Sequence, residues 1–145
     1  MKIILVSDSH GNNKALDEIA LLYPDADLFL HAGDSESSEY QIAPFESVRG
    51  NCDHFSDAPE RRIIDTPMGK LLIQHYPTIP YDIINEYDIK IFVHGHTHSR
   101  KYTTKNGLII INPGSVSYSR NGNDLSYAVL TIEKEIKIEF KSLIE

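Results

Sequence analysis

The chain has 145 residues, of which 41% are apolar and 24% charged, with a formal net charge of −7. These values fit one globular domain, read here as residues 1–145, and exclude a disordered chain. The acidic balance repels nucleic-acid backbones and excludes a broad nucleic-acid-binding surface, though a small anion can still enter a site whose cations reverse the local field.

The N-terminus reads "MKIILVSDSHG". Its apolar run is too short for a signal peptide and is broken by Asp8 and His10. No run approaches the ~20 apolar residues of a membrane span. The expectation is a soluble cytoplasmic protein with no membrane partner; a homo-oligomer is compatible with this composition. Ile3 to Val6 reads as a buried strand running into Asp8 and His10. A helix follows, with Asn12 or Asn13 as its cap, Ala15, Leu16, Ile19 and Ala20 on one face, and Pro24 past its end. The next strand, Leu28 to Leu30, runs into Asp34. Strand, helix and strand predict a right-handed crossover between parallel strands.

Further short apolar runs repeat the pattern. Val48 precedes Asn51 in "SVRGNCD", Leu71 to Ile73 run into His75, and Ile91 to Val93 run into "HGHTH" with His96 and His98. Cys52 is the sole cysteine, so neither an intrachain disulfide nor a thiolate zinc cage forms, as suits a reducing compartment. Tyr81 to Tyr87 reads as a short helix after Pro80. "KYTTKNGLIIIN" reads as a hairpin turning at Asn106-Gly107, and "LSYAVLTI" with "EIKIEFKSL" as a closing hairpin. The sum is two sheets, one more parallel and one more antiparallel, with few helices.

Ligands of parallel sheets bind beyond the carboxyl ends of the strands, so these polar clusters are expected at one rim. Singly they are weak signals. A strand-end Asp caps the next helix, Gly-Asp and Gly-Asn mark turns, and a lone His75 after an apolar run is usually a hydrogen-bonded core residue. His96 and His98 are more specific, because alternate residues of an extended segment point the same way. Together, Asp8, His10, Asp34, Asn51, His75, His96 and His98 supply more nitrogen and oxygen donors than one transition metal needs. They suit two ions ~3.5–4 Å apart with a shared carboxylate.

The ordered set "DSH", "GD", "GNCD", a lone His after a strand, and "GHTH" resembles the calcineurin-like metallophosphoesterase signature. The later "NPGSVS" and the short chain look like that family's compact bacterial and archaeal phosphodiesterase branch. The resemblance implies a four-layer αββα sandwich, an α/β fold of two mixed sheets covered by helices. It also implies that Asp8, His10 and His98 hold one metal, that Asn51, His75 and His96 hold a second, and that Asp34 bridges them. His94 is not a family ligand and is expected, like His31 and His54, to be buried or hydrogen-bonded. The chain departs from the wider family in three places. "SESSE" follows "GD" where phosphoprotein phosphatases have Asp-Arg-Gly, Cys52 stands where many members carry a leaving-group histidine, and Tyr76-Pro77 replaces the usual glycine after His75.

The implied activity is hydrolysis of a small phosphodiester by a hydroxide shared between two divalent ions, which makes a side-chain nucleophile unnecessary. Ser9, Ser35 and Ser115 are therefore read as turn or cap residues. The mixed ligand set suits Mn²⁺ first, with Fe, Zn²⁺, Ni²⁺ or Co²⁺ also compatible. Asp34 and Asn51 are the expected catalytic ligands. Asp53, which would be ionised at neutral pH unless desolvated, or His54 is the candidate proton donor in place of Cys52, whose plainest role is packing. The competing readings are a phosphomonoesterase using the same ions and a non-catalytic protein-binding scaffold of the same fold.

Overall fold

A computed structural model of the chain describes residues 1–54, 56–118 and 124–143. Strand β1 (Lys2–Val6) is followed by helix α1 (Asn13–Leu22), β2 (Leu28–His31), a 3-10 turn at Tyr40–Ile42, and the two-residue β3 (Glu46–Ser47). The chain then forms β4 (Arg61–Thr66), β5 (Gly69–Gln74), helix α2 (Tyr81–Glu86) and β6 (Ile89–Val93). It ends in two hairpin pairs, β7 (Lys101–Lys105) with β8 (Leu108–Asn112), and β9 (Ser126–Ile132) with β10 (Ile136–Ser142).

The strands form two mixed sheets of five, ordered β10-β9-β1-β2-β3 and β4-β5-β6-β8-β7. In the first sheet β1, β2 and β3 run parallel. In the second, β5, β6 and β8 do. The period-2 alternation of a strand assigns the layers. Ile3 and Leu5 of β1 point into the core between the sheets, where they meet Leu71, Ile73, Ile91, Val93 and Ile111 of the second sheet. Ile4 and Val6 point outward onto Leu16 and Ile19 of α1. Leu72, Phe92 and Ile110 point outward on the other side, onto Ile84 of α2. The layers are thus helix, sheet, sheet, helix, as the resemblance implies.

Local chemistry explains the ends of several elements. The Asn12 side chain caps α1 by accepting from the Ala15 N–H at 3.4 Å. Asn106 (φ 51°) and Gly107 (φ 82°) both take the left-handed backbone that a tight hairpin turn requires. One strand was not anticipated. β4 pairs antiparallel with β5 over Arg61 to Thr66, at the sheet edge, where its alternate exposed residues give a weak apolar signal.

A candidate metal centre at the strand ends

The carboxyl ends of β1, β2, β3, β5 and β6 lie at one rim and lead into the loops that carry the predicted residues. Asp8, His10, Asp34, His96 and His98 all have positive φ, between 44° and 73°. That is the left-handed region, costly for side chains bearing Cβ, and it clusters at functional sites. Here it turns successive side chains of one loop toward a common point.

Two sets of atoms converge there. In the first, His10 Nε2 and His98 Nε2 are 3.4 Å apart, and Asp8 Oδ1 lies 3.3 Å from His98 Nε2 and 3.9 Å from His10 Nε2. In the second, Asn51 Oδ1 lies 2.9 Å from His75 Nε2 and 3.2 Å from His96 Nδ1. Asp34 Oδ2 joins it, 3.2 Å from His75 Nε2. Asp34 also shares a cluster with His10 and Cys52 whose ligand atoms lie within 4.8 Å of one another, and His75 another with Asp8 and Asp34. The two sets are therefore contiguous, with Asp34 at their junction. All seven predicted residues are brought together.

The hydrogen bonds behind the rim show which atoms carry lone pairs. His75 Nδ1 donates to the Ala32 carbonyl at 2.8 Å and His98 Nδ1 to the Tyr118 carbonyl at 3.0 Å. A carbonyl can only accept, so in the neutral ring Nε2 of each histidine is unprotonated. His10 Nδ1 is 2.9 Å from Glu36 Oε2, which fixes the same tautomer. Asp8 Oδ2 accepts from Ser7 Oγ at 2.5 Å and from the His96 N–H at 3.1 Å. Its other oxygen, Oδ1, is buried and has no hydrogen-bond partner. A buried, unpaired carboxylate oxygen is costly, and here it faces imidazole lone pairs. This donor set fits a cation.

The acids are tuned accordingly. Burial pushes both carboxyls up, but hydrogen bonds and neighbouring histidines win. His98 and Ser7 hold Asp8 below the ordinary carboxylate range. His75 and the Cys52 N–H hold Asp34 down at about 2. Burial lowers His75, but the Asp34 and Asp8 carboxylates more than offset it and raise the ring's pKa.

Other residues hold the loops. The Ser115 and Ser117 hydroxyls donate to the Asp8 carbonyl at 2.8 and 2.7 Å. Asn112 Nδ2 donates to Thr97 Oγ1 at 2.9 Å and to the Gly95 carbonyl at 3.3 Å. The "NPGSVS" segment thus clamps both the "DSH" and "GHTH" loops, a role its sequence did not disclose. Glu36, the His10 partner, was also missed. Glycine is needed where the loops touch. A Cβ on Gly95 would collide with Ser7 Oγ and sit 2.7 Å from Asp8 Oδ2.

Four side chains have different settings. Asp53 turns away from the rim, with Oδ2 accepting from the N–H groups of Asp34 (2.8 Å) and Gly50 (2.7 Å) and Oδ1 from that of Glu36 (2.8 Å). Both oxygens are committed to loop backbone, so its geometry is that of a positioning residue and not of the expected proton donor. His31 is fully buried between Ser9 Oγ and the Gly33 N–H, and His94 is buried with Nδ1 at 2.9 Å from the Gly95 carbonyl, both as expected. His54 departs from that expectation. It is exposed and lines, with Glu36, Ser37 and Cys52, a cleft of about 420 Å³.

Fold and rim together have the arrangement of a metallophosphoesterase domain. The family model of the calcineurin-like phosphoesterase superfamily domain matches residues 1–135, and the chain belongs to that superfamily. It is 31% identical to the probable metallophosphoesterase YsnB of Bacillus subtilis (strain 168), covering 93% of this chain and 86% of that protein. It is 26% identical to the phosphodiesterase YfcE of Escherichia coli (strain K12), over 90% of this chain and 87% of the relative. A conserved protein of Streptococcus pneumoniae TIGR4, described with its crystal structure as a predicted phosphoesterase, superposes with TM-score 0.86 at 26% identity, covering 97% of this chain and 88% of that one. Vps29 of Entamoeba histolytica, crystallised with Zn²⁺, shares the fold at TM-score 0.70 and 20% identity, covering 97% of this chain and 98% of its own. Among the described residues no helix is long and apolar enough to cross a membrane.

Proposed function

We propose that this chain is a cytoplasmic phosphodiesterase that hydrolyses small phosphodiesters with two divalent cations held at the rim. In this reading Asp8, His10 and His98 would hold one cation and Asn51, His75 and His96 the other, with Asp34 shared between them. The observation that carries it is Asp8 Oδ1, buried without a partner and facing His98, His10 and His75 Nε2 at 3.3, 3.9 and 4.0 Å. The name of the YfcE relative supports the diesterase subclass. The mixed nitrogen and oxygen set favours Mn²⁺.

Bound cations supply Lewis acidity and lower the pKa of water toward neutrality. The chain's residues bind and orient. The carboxylates of Asp8 and Asp34 subtract two charges from the four of two divalent ions, so the centre stays positive and draws a phosphate into an acidic protein. Asp34 remains ionised across the physiological range because its pKa lies at about 2. Glu36, Ala32 and the Tyr118 carbonyl fix three imidazoles so that Nε2 faces inward. Asn51 adds a neutral oxygen without further charge.

Leaving-group protonation has no strong acid at the expected position. Burial, and then the Asp34 carboxylate, push the Cys52 thiol up, so it is a weak donor. His54, exposed in the adjoining cleft, is the alternative donor. A scaffold function gives no reason for an unpaired buried carboxylate oxygen. The test is turnover of a panel of phosphodiesters and monoesters after chelation and reloading with Mn²⁺, Fe²⁺, Zn²⁺, Ni²⁺ or Co²⁺. Diester hydrolysis restored best by Mn²⁺ is expected. Preference for monoesters, or no turnover with any metal, would refute the proposal.

A further inference from the structure

Beside the second set of candidate ligands lies a cleft of about 500 Å³, large enough for a nucleotide-sized group. Arg49, Glu60, Arg61, Gln74, Tyr76 and Thr78 contribute to its wall. Two of its lining residues adjoin the rim directly, since Gly50 precedes Asn51 and Tyr76 follows His75.

The Tyr76 ring is fixed from behind. Its centroid is 5.3 Å from that of His75 and 5.2 Å from that of His96. The carbonyls of Tyr76 and Thr78 accept from Gln74 Nε2 at 2.8 and 2.9 Å, and Pro77 stiffens the turn between them. Yet 46% of Tyr76 remains exposed. A large aromatic held rigidly and left open beside a catalytic rim is a stacking surface. The cleft is also cationic in a chain of net charge −7. Arg61 Nε and Nη2 reach Gln74 Oε1 at 3.4 Å, and its nearest carboxylate is Glu60 at 4.0 Å. Arg49 is exposed, and among the described residues its guanidinium has neither hydrogen-bond nor ion-pair partner. Two guanidiniums against one largely solvated carboxylate leave room for a doubly charged anion, which a guanidinium fork binds well.

We infer that this cleft binds one arm of the diester substrate, an arm that combines a flat ring, stacked on Tyr76, with a second phosphate paired to Arg49 and Arg61. The inference rests on the phosphodiesterase reading for the identity of the arm as a substrate part, but its binding depends on the cleft alone. Arms with a ring and no second anion leave Arg49 unpaired, and sugar phosphates without a ring leave Tyr76 bare. The substrate class is therefore a diester of a nucleotide that carries a further phosphate.

Calorimetric titration of the whole protein with adenosine 3′,5′-bisphosphate, adenosine 5′-monophosphate and ribose 5-phosphate tests it. The bisphosphate should bind about 10-fold more tightly than the monophosphate, the scale of charge-assisted hydrogen bonds. Arg49→Gln, at an exposed position, should erase most of that preference. Tyr76→Leu, which keeps bulk, should erase the preference of the nucleoside monophosphate over ribose 5-phosphate. Equal binding of all three ligands, or preferences that survive both substitutions, would overturn the inference. Parallel assay of bis(p-nitrophenyl) phosphate separates the two readings. Both preferences in a protein that hydrolyses no diester would refute the phosphodiesterase and keep the cleft. Diester hydrolysis with neither preference would do the reverse.

Discussion

His10 Nε2 and His98 Nε2 face each other at 3.4 Å, and the far nitrogen of each ring is engaged, with Glu36 in one case and the Tyr118 carbonyl in the other. In neutral rings this sets lone pair against lone pair, an arrangement that repels in isolation and becomes ligation around a cation. The two histidines are 88 positions apart in sequence and stand beyond the ends of β1 and β6, in different sheets. The sandwich itself therefore builds the pair.

Glu36 should matter although it is not a ligand. Its carboxylate holds His10 Nδ1 at 2.9 Å and so turns Nε2 toward the rim. Glu36→Ala is expected to lower metal affinity about 10- to 100-fold, the usual cost of losing such a partner. Titration of the chelated protein with Mn²⁺ measures it. Unchanged affinity would mean that His10 is oriented by packing against His98 and Tyr118.

Asp34→Asn and His94→Gln should behave oppositely. Asp34 sits at the junction of the two ligand sets, and its charge holds them together; its loss should cost roughly 100-fold or more in turnover, the scale of removing one preorganised electrostatic group. His94 stacks on Phe92 at 5.6 Å and bonds the Gly95 carbonyl, so its replacement should lower thermal stability more than metal binding. Loss of metal from the His94 variant alone would contradict this arrangement.

His31 should make the fold acid-sensitive. Its Nδ1 accepts from the Gly33 N–H at 3.0 Å, so Nε2 carries the proton and donates to Ser9 Oγ at 2.8 Å. Burial lowers its pKa from 6.5 to about 4, against the pull of Asp8 and Asp53. Between those values the unfolded chain binds a proton that the folded chain refuses, so stability falls as pH drops through this window. The full shift corresponds to about 3 kcal/mol, and burial of His94 acts in the same direction. Thermal melts from pH 7 to pH 4 should show a falling Tm, flatter in His31→Gln. A Tm independent of pH across that range would count against the assignment.

Cys52 should set the leaving-group preference. A thiol whose pKa is raised by burial and by Asp34 is a weak proton donor beside an imidazolium, and general-acid help is typically worth about 10²–10⁴-fold. Activated aryl diesters should turn over well and alkyl diesters poorly. Cys52→His should make the dependence of rate on leaving-group pKa shallower. An equally shallow dependence in both proteins would assign the proton to His54.

Much of this was legible because each strand announces itself as an apolar run and each run ends at a polar residue. The unbroken apolar run Ile3 to Val6 marks a strand buried on both faces, and Asn106-Gly107 fixes its turn. What stayed hidden was the bracing of the rim, since hydrogen bonds between remote loops leave no periodic trace. Glu36 reaches His10 across 26 residues, and Ser117 reaches Asp8 across 109. Asp53 misled for a related reason. A carboxylate next to a candidate ligand has the chemistry of an acid, and only the loop's path shows that its oxygens turn back to the N–H groups of Asp34, Glu36 and Gly50. β4 was missed because an edge strand shows only half an apolar face.

If the seven lone-pair donors at the rim hold two divalent ions, hydrolysis requires both. Elemental analysis of the protein after chelation and Mn²⁺ reloading, with turnover of bis(p-nitrophenyl) phosphate followed on the same samples, tests it directly. Two ions per chain are expected at saturation, with activity rising as the second ion binds and absent from the stripped protein. Full activity in the stripped protein, or saturation at one ion, would contradict it.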